Sequence, residues 1–137
     1  MNQITSQIFL GDAVDAQDIR ALTENKIRRL LNCAEDCQPA LKWADGFKVV
    51  HIGLADCTDR NDRDILRGAV LVLRGLVSGN HNVLVHCMGG VSRSAIITAL
   101  YLREYEGFQT LDAAISFIQT KRPCVKVHAK LIEGWFK

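Results

Sequence analysis

No stretch of this chain approaches the ~20 consecutive apolar residues that a membrane-spanning helix requires. Its opening, Met1-Asn2-Gln3-Ile4-Thr5-Ser6, lacks a basic region followed by an apolar run, so neither membrane insertion nor secretion is expected. An excess of charge is missing too. The 17 basic and 15 acidic residues leave a net charge of +2 and are interspersed, which argues against a nucleic-acid partner and for an ordinary solvated surface. The five cysteines, Cys33, Cys37, Cys57, Cys87 and Cys124, are odd in number and match no disulfide framework or paired zinc spacing. His51, His81 and His128 show no convergent ligand spacing, so no metal is expected, and nothing calls for an organic cofactor. Repeats, linkers and low-complexity segments are absent. What remains fits one domain over residues 1–137 in a reducing cytoplasm: 48% of the residues are hydrophobic and 23% charged, enough apolar material for a single core.

What is present centres on Asn82-Val83-Leu84-Val85-His86-Cys87-Met88-Gly89-Gly90-Val91-Ser92-Arg93-Ser94-Ala95-Ile96-Ile97. Val83-Leu84-Val85 reads as a short strand buried on both faces, and the apolar run from Ala95 as a buried helix. A loop that enters a helix N-terminus points successive backbone N–H groups inward, where the helix dipole adds positive potential. Met88, Gly89, Gly90, Val91 and Ser92 therefore form a cradle for an oxyanion, with the two glycines letting the backbone turn tightly. Arg93, six residues after Cys87, carries a planar fork matched to two oxygens of a phosphoryl group. The same field depresses the pKa of Cys87 and makes a thiolate available near neutral pH.

The rest of the chain alternates strands and helices. Gln7–Asp12 reads as an edge strand, followed by a helix capped at Asp15 with Ile19 and Leu22 at helical spacing. Strands are predicted at 27–32 and 47–52, with an irregular connection from Cys33 to Gly46. Leu66, Ala69, Val70, Leu73, Leu76 and Val77 share one face of a helix from Asp64 that ends near Ser78-Gly79-Asn80. Thr110 caps a helix ended by Arg122-Pro123, and Leu131, Ile132, Trp135 and Phe136 suit a last amphipathic helix. This order implies an α/β domain with a central, mostly parallel twisted sheet flanked by helices, and ligands gathering at the strands' carboxyl ends.

The pattern His86-Cys87-x-x-Gly90-x-x-Arg93-Ser94 closely resembles the signature of the cysteine-dependent protein phosphatases. Its specified positions would coincide by chance in such a chain with a probability on the order of 10⁻⁵. Ile8-Phe9-Leu10-Gly11-Asp12, the strand ending in Asn32 and the loop Ile52-Gly53-Leu54-Ala55-Asp56 extend the resemblance to the small dual-specificity phosphatases over almost the whole chain. The resemblance implies hydrolysis of phosphotyrosine and phosphoserine or phosphothreonine through a phosphocysteine on Cys87, with Arg93 binding phosphate. Ser94 eases departure of the sulfur, and His86 orients the loop and tunes the thiol. The acid is one of Asp56, Asp59, Asp62 and Asp64, and the family carries it at Asp56; Asp64 reads as a helix cap and Asp62 as a loop charge. Relatives often carry a proline or carboxylate where this chain has Gly53 and Ala55, which implies a looser loop. Cys57 and Cys124 read as packing or surface residues, Cys57 standing beside the acid as a candidate partner for a reversible disulfide with Cys87. A monomer acting on a phosphoprotein is expected.

Other readings are less well supported by the residues. A phospho-binding pseudo-enzyme usually loses the thiol or the arginine, and this chain keeps both. Phosphatases for phosphoinositides tend to carry lysines within the loop, whereas Met88, Gly89, Val91 and Ser92 are uncharged; glycan or RNA 5′ phosphates remain alternatives of the same class. A rhodanese-like sulfur transferase or an arsenate reductase does not require the Asp56 acid.

Overall fold

The computed structural model describes residues 1–39, 41–58 and 60–136; the candidate acid Asp59 lies outside them. Among the described residues the strands are β1 (Asn2–Gln3), β2 (Ile8–Gly11), β3 (Ile27–Ala34), β4 (Lys48–Leu54) and β5 (Asn82–His86). They form one sheet in the spatial order β1-β2-β5-β3-β4. β2, β5, β3 and β4 run parallel, and β1 pairs antiparallel with β2. The mostly parallel sheet is as expected. The edge assignment for residues 7–12 is not: β1 covers that side of β2, and all four β2 residues are buried. Two residues of polar β1 carry no periodic signal from which it would be read.

The helices are α1 (Ile19–Glu24), α2 (Arg63–Val77), α3 (Arg93–Tyr105), α4 (Leu111–Lys121) and α5 (Ala129–Trp135). Two caps differ from expectation. Asp15 lies in a 3₁₀ turn, where its carboxylate accepts from the Asp12 N–H at 3.0 Å, and Asp18 caps α1 by accepting from Ala21 N–H at 3.1 Å. Likewise Asp62, not Asp64, caps α2: its extended backbone lets the carboxylate accept from Ile65 N–H at 3.0 Å. Thr110 caps α4 as expected, through the Ala113 N–H.

Side chains alternate between the two faces of the sheet. Leu10, Leu31, Val83 and Val85 pack with α2, α3, α4 and α5, while Phe9, Leu30 and Leu84 meet Leu22, Leu41 and Phe47 on the opposite face. Every α3 residue from Arg93 to Leu102 is buried, so the helix that carries Arg93 and Ser94 is anchored on all sides. Register brings the parallel strands' carboxyl ends together: Gly11 and Asn32 flank His86, and Ala34 pairs with Leu54. The loops after β2, β3, β4 and β5 therefore open on one edge.

Candidate active site

At that edge the β5–α3 loop curls around Cys87. Its Sγ lies 3.3 Å from the Ser94 Oγ, and only 2% of the residue is exposed. Burial pushes the thiol up, yet the Ser94 hydroxyl, the N–H groups of Ser94 and Gly90 and the Arg93 charge outweigh it, so Cys87 ionises below the ordinary thiol value. Cys33 and Cys37, by contrast, are pushed up by burial, and the neighbouring Cys87 adds to it. Of the three buried thiols, only Cys87 has its ionised form favoured by its surroundings.

The two loop glycines differ. Gly90 has φ +64°, and a Cβ there would stand 2.5 Å from the Gly11 carbonyl oxygen; at Gly89 the nearest atom would be 3.7 Å away. Gly90 is the position where only glycine fits. Further bonds stitch the loop outward. Ala13 N–H donates to Met88 O at 3.0 Å, Lys126 N–H to Val91 O at 2.9 Å, and His128 N–H to the Ser92 Oγ at 2.9 Å. Arg122, buried, donates from Nε to Gly90 O at 2.8 Å and from Nη1 to Asn2 Oδ1 at 2.7 Å. Ser92, expected as one residue of the oxyanion cradle, uses its hydroxyl here to accept from the segment before α5. His86 is buried with Nδ1 3.2 Å from Cys87 O, and burial lowers its pKa, keeping the ring neutral.

Arg93 is only 3% exposed along its side chain and lies among carboxylates. Nη1 donates to Asp36 Oδ1 at 2.5 Å and to Leu54 O at 3.2 Å, while Nε lies 3.7 Å from Asp56 Oδ1. Asp56, about half exposed, follows β4 at the mouth. Two contacts tie down the positions at which Gly53 and Ala55 implied a looser loop. Gly53 falls within β4, where a Cβ would meet Glu35 Cα at 3.0 Å. Buried Asn61 clasps Ala55 from both sides: its Oδ1 accepts from Ala55 N–H at 3.1 Å and its Nδ2 donates to Ala55 O at 2.7 Å. Cys57, at φ +50°, then turns the chain sharply beside Asp56.

The resulting cavity, about 390 Å³, is lined by Cys87 to Gly89, Val91 to Arg93, Asp56, Cys57, Asp36, Lys126 and His128. Sequence reasoning brought the loop, Arg93 and Asp56 to one place and missed Asp36, Lys126, His128 and the supports Asn61 and Arg122. Asp62 and Asp64 belong to the start of α2 instead. No group of residues suited to holding a metal ion occurs among the described residues. A thiolate beside N–H donors and a guanidinium can attack a centre that bears anionic oxygens, and a neighbouring carboxyl group in its acid form can protonate what leaves it.

The family model described as dual specificity phosphatase, catalytic domain, matches residues 8–134. The chain belongs to the dual-specificity phosphatase family. It is 27% identical to human dual specificity protein phosphatase 21 over 125 residues, 91% of this chain and 64% of that protein. Against dual specificity protein phosphatase 22 of Xenopus tropicalis it is 28% identical over 124 residues, 90% of this chain and 57% of that one. This dual-specificity phosphatase chain thus spans about three fifths of the length of those relatives. The crystal structure of human DUSP28 superimposes with a TM-score of 0.85 at 19% identity, covering 98% of this chain and 92% of that one, and so shares the fold.

Proposed function

We propose that this chain is a cytoplasmic protein phosphatase that hydrolyses phosphotyrosine and phosphoserine or phosphothreonine through a phosphocysteine on Cys87. The observation that carries the reading is the ionisable Cys87, 3.3 Å from Ser94 Oγ at the floor of a cavity whose wall includes Arg93 and Asp56. In the first step the thiolate attacks phosphorus in line, the bond to the leaving oxygen breaks, and Asp56 in its acid form gives that oxygen its proton. Arg93 and the N–H groups of residues 88–92 hold the equatorial oxygens, where charge is spread in the transition state. In the second step water attacks phosphorus, Asp56 takes its proton, and the sulfur leaves as a thiolate bonded by Ser94. Five free cysteines suit a reducing compartment.

Dual tolerance is supported by an open mouth, where Met88 is 44% exposed and Asp56 about half so. The test is kcat/KM on one peptide carrying phosphotyrosine or phosphothreonine in turn, with Cys87→Ser as blank. Comparable Cys87-dependent turnover of both is expected. Activity on phosphotyrosine alone would overturn the dual specificity, and silence on both would overturn the protein-phosphatase reading in favour of a lipid, glycan or RNA phosphate.

A further inference from the structure

We propose that Asp36 is a positioning residue for phosphate capture, fastening one corner of the Arg93 guanidinium so that the Nε/Nη2 edge faces the cavity as a ready fork. The proposal rests on the phosphatase reading above. Its first support is where each guanidinium nitrogen goes. Nη1 is taken up by Asp36 Oδ1 and Leu54 O. Nε and Nη2 make no hydrogen bond among the described residues, the Asp56 carboxylate standing 3.7 Å from Nε across the mouth, yet none of those residues has a fully buried side-chain nitrogen or oxygen without a partner. That edge of Arg93 therefore opens onto the cavity. It is the pair of parallel N–H groups that bind two oxygens of a phosphoryl group.

Placement of Asp36 is determined by the backbone around it. Glu35 N–H donates to Leu54 O at 3.1 Å, the same carbonyl that accepts from Arg93 Nη1. Buried Asn32 shapes the turn from inside: its Oδ1 accepts from Ala34 N–H at 3.0 Å and its Nδ2 donates to Cys37 O at 2.7 Å. Gly53 lets β4 approach this turn, since a Cβ there would stand 3.0 Å from Glu35 Cα. An exposed carboxylate on a free loop contributes little to holding an arginine; on a loop tied to β3 and β4 it does not have to be ordered anew. The Arg93 hydrogen bond also keeps Asp36 ionised, holding its carboxyl below the usual range.

Asp36 is not a stand-in for the substrate anion. An occupant of the cradle would bond the Nε/Nη2 edge and the N–H groups of residues 88–92, whereas the one side-chain partner of Asp36 among the described residues is Nη1.

The experiment pairs tungstate binding with turnover. Calorimetry on Cys87→Ser, alone and combined with Asp36→Ala, Asp36→Asn or Asp36→Glu, gives the anion's Kd; kcat/KM on the phosphotyrosine peptide is measured in the Cys87 background. Asp36→Ala is expected to weaken tungstate binding and to lower kcat/KM, each by about 10- to 100-fold. Asp36→Glu should recover most of both, with unfolding midpoints within about 2 °C of the parent for this half-exposed side chain. Should the alanine variant not fold, the isosteric Asp36→Asn serves in its place with the same expected direction. Unchanged or tighter tungstate binding on removal of the carboxylate, with an active parent, overturns the positioning role alone. Absence of tungstate binding by Cys87→Ser, with no turnover by the parent, overturns the phosphatase reading and this proposal with it.

Discussion

Replacing Gly90 by alanine tests the geometry of the β5–α3 loop at its tightest point. Two costs act together. A non-glycine residue at φ +64° pays roughly 1–2 kcal/mol for the left-handed conformation. The added Cβ would also stand 2.5 Å from Gly11 O and 2.6 Å from Arg122 Nη2. The first of these is backbone and must shift with β2, adding about 1–3 kcal/mol of overpacking. A total of about 2–5 kcal/mol predicts a fall of roughly 7–17 °C in the unfolding midpoint. Gly89→Ala is the internal control, because its Cβ would find an ordinary contact at 3.7 Å. Calorimetric scans of both variants beside the parent are the assay. If Gly90→Ala melts with the parent, or if the two alanines cost the same, the close approach of this loop to β2 is not what holds it.

Ser94→Ala removes the hydroxyl that opposes burial at Cys87, so the thiol should ionise at higher pH. Loss of a hydrogen bond to a charged group, about 1.5–3 kcal/mol, moves the acid limb of the kcat/KM profile upward by about one to two units; an unmoved limb would contradict the assignment. Asp56→Asn should slow an alkyl phosphate about 100-fold and an aryl phosphate with a good leaving group far less. A leaving-group-independent loss removes Asp56 as the acid. Arg122→Met leaves the Gly90 carbonyl and Asn2 without their donor and should destabilise by about 3 kcal/mol, read from urea unfolding, although the residue lies behind the loop. At mildly acidic pH iodoacetamide should modify Cys87 ahead of Cys33 and Cys37, with phosphate protecting it, because only Cys87 of the three has a lowered pKa.

The cradle was legible because its parts are neighbours in the chain: a strand, a thiol, a glycine and an arginine entering a helix within one stretch. α2 was equally plain, since its apolar face repeats at the helical period over four turns. What escaped depends on contacts between distant segments. Asp36 and Arg93 are 57 positions apart, and Arg122 and Gly90 are 32 apart. A carboxylate after a strand looks like any solvated loop charge, and nothing local says that Asn32 bends it toward an arginine. Asn61 likewise reads as a turn residue, although it makes two bonds to Ala55 across six positions. The caps show a subtler gap. Asp62 and Asp64 both suit a helix start by type, and the extended backbone at Asp62 decides between them. Met88, Gly89, Val91 and Ser92 are uncharged, yet the fold brings Lys126 and His128 to the rim of their loop, because the segment before α5 is bonded to Val91 and Ser92.

The measurement closest to the central claim is direct capture of the covalent intermediate. Rapid acid quench of the protein during turnover of a phosphotyrosine peptide, followed by mass spectrometry of its proteolytic fragments, should find phosphate on the fragment containing Cys87. The adduct should accumulate further in Ser94→Ala, where the sulfur is a poorer leaving group, and vanish in Cys87→Ser. Turnover that persists in Cys87→Ser, or phosphate captured on any other residue, would contradict a phosphocysteine mechanism at this site.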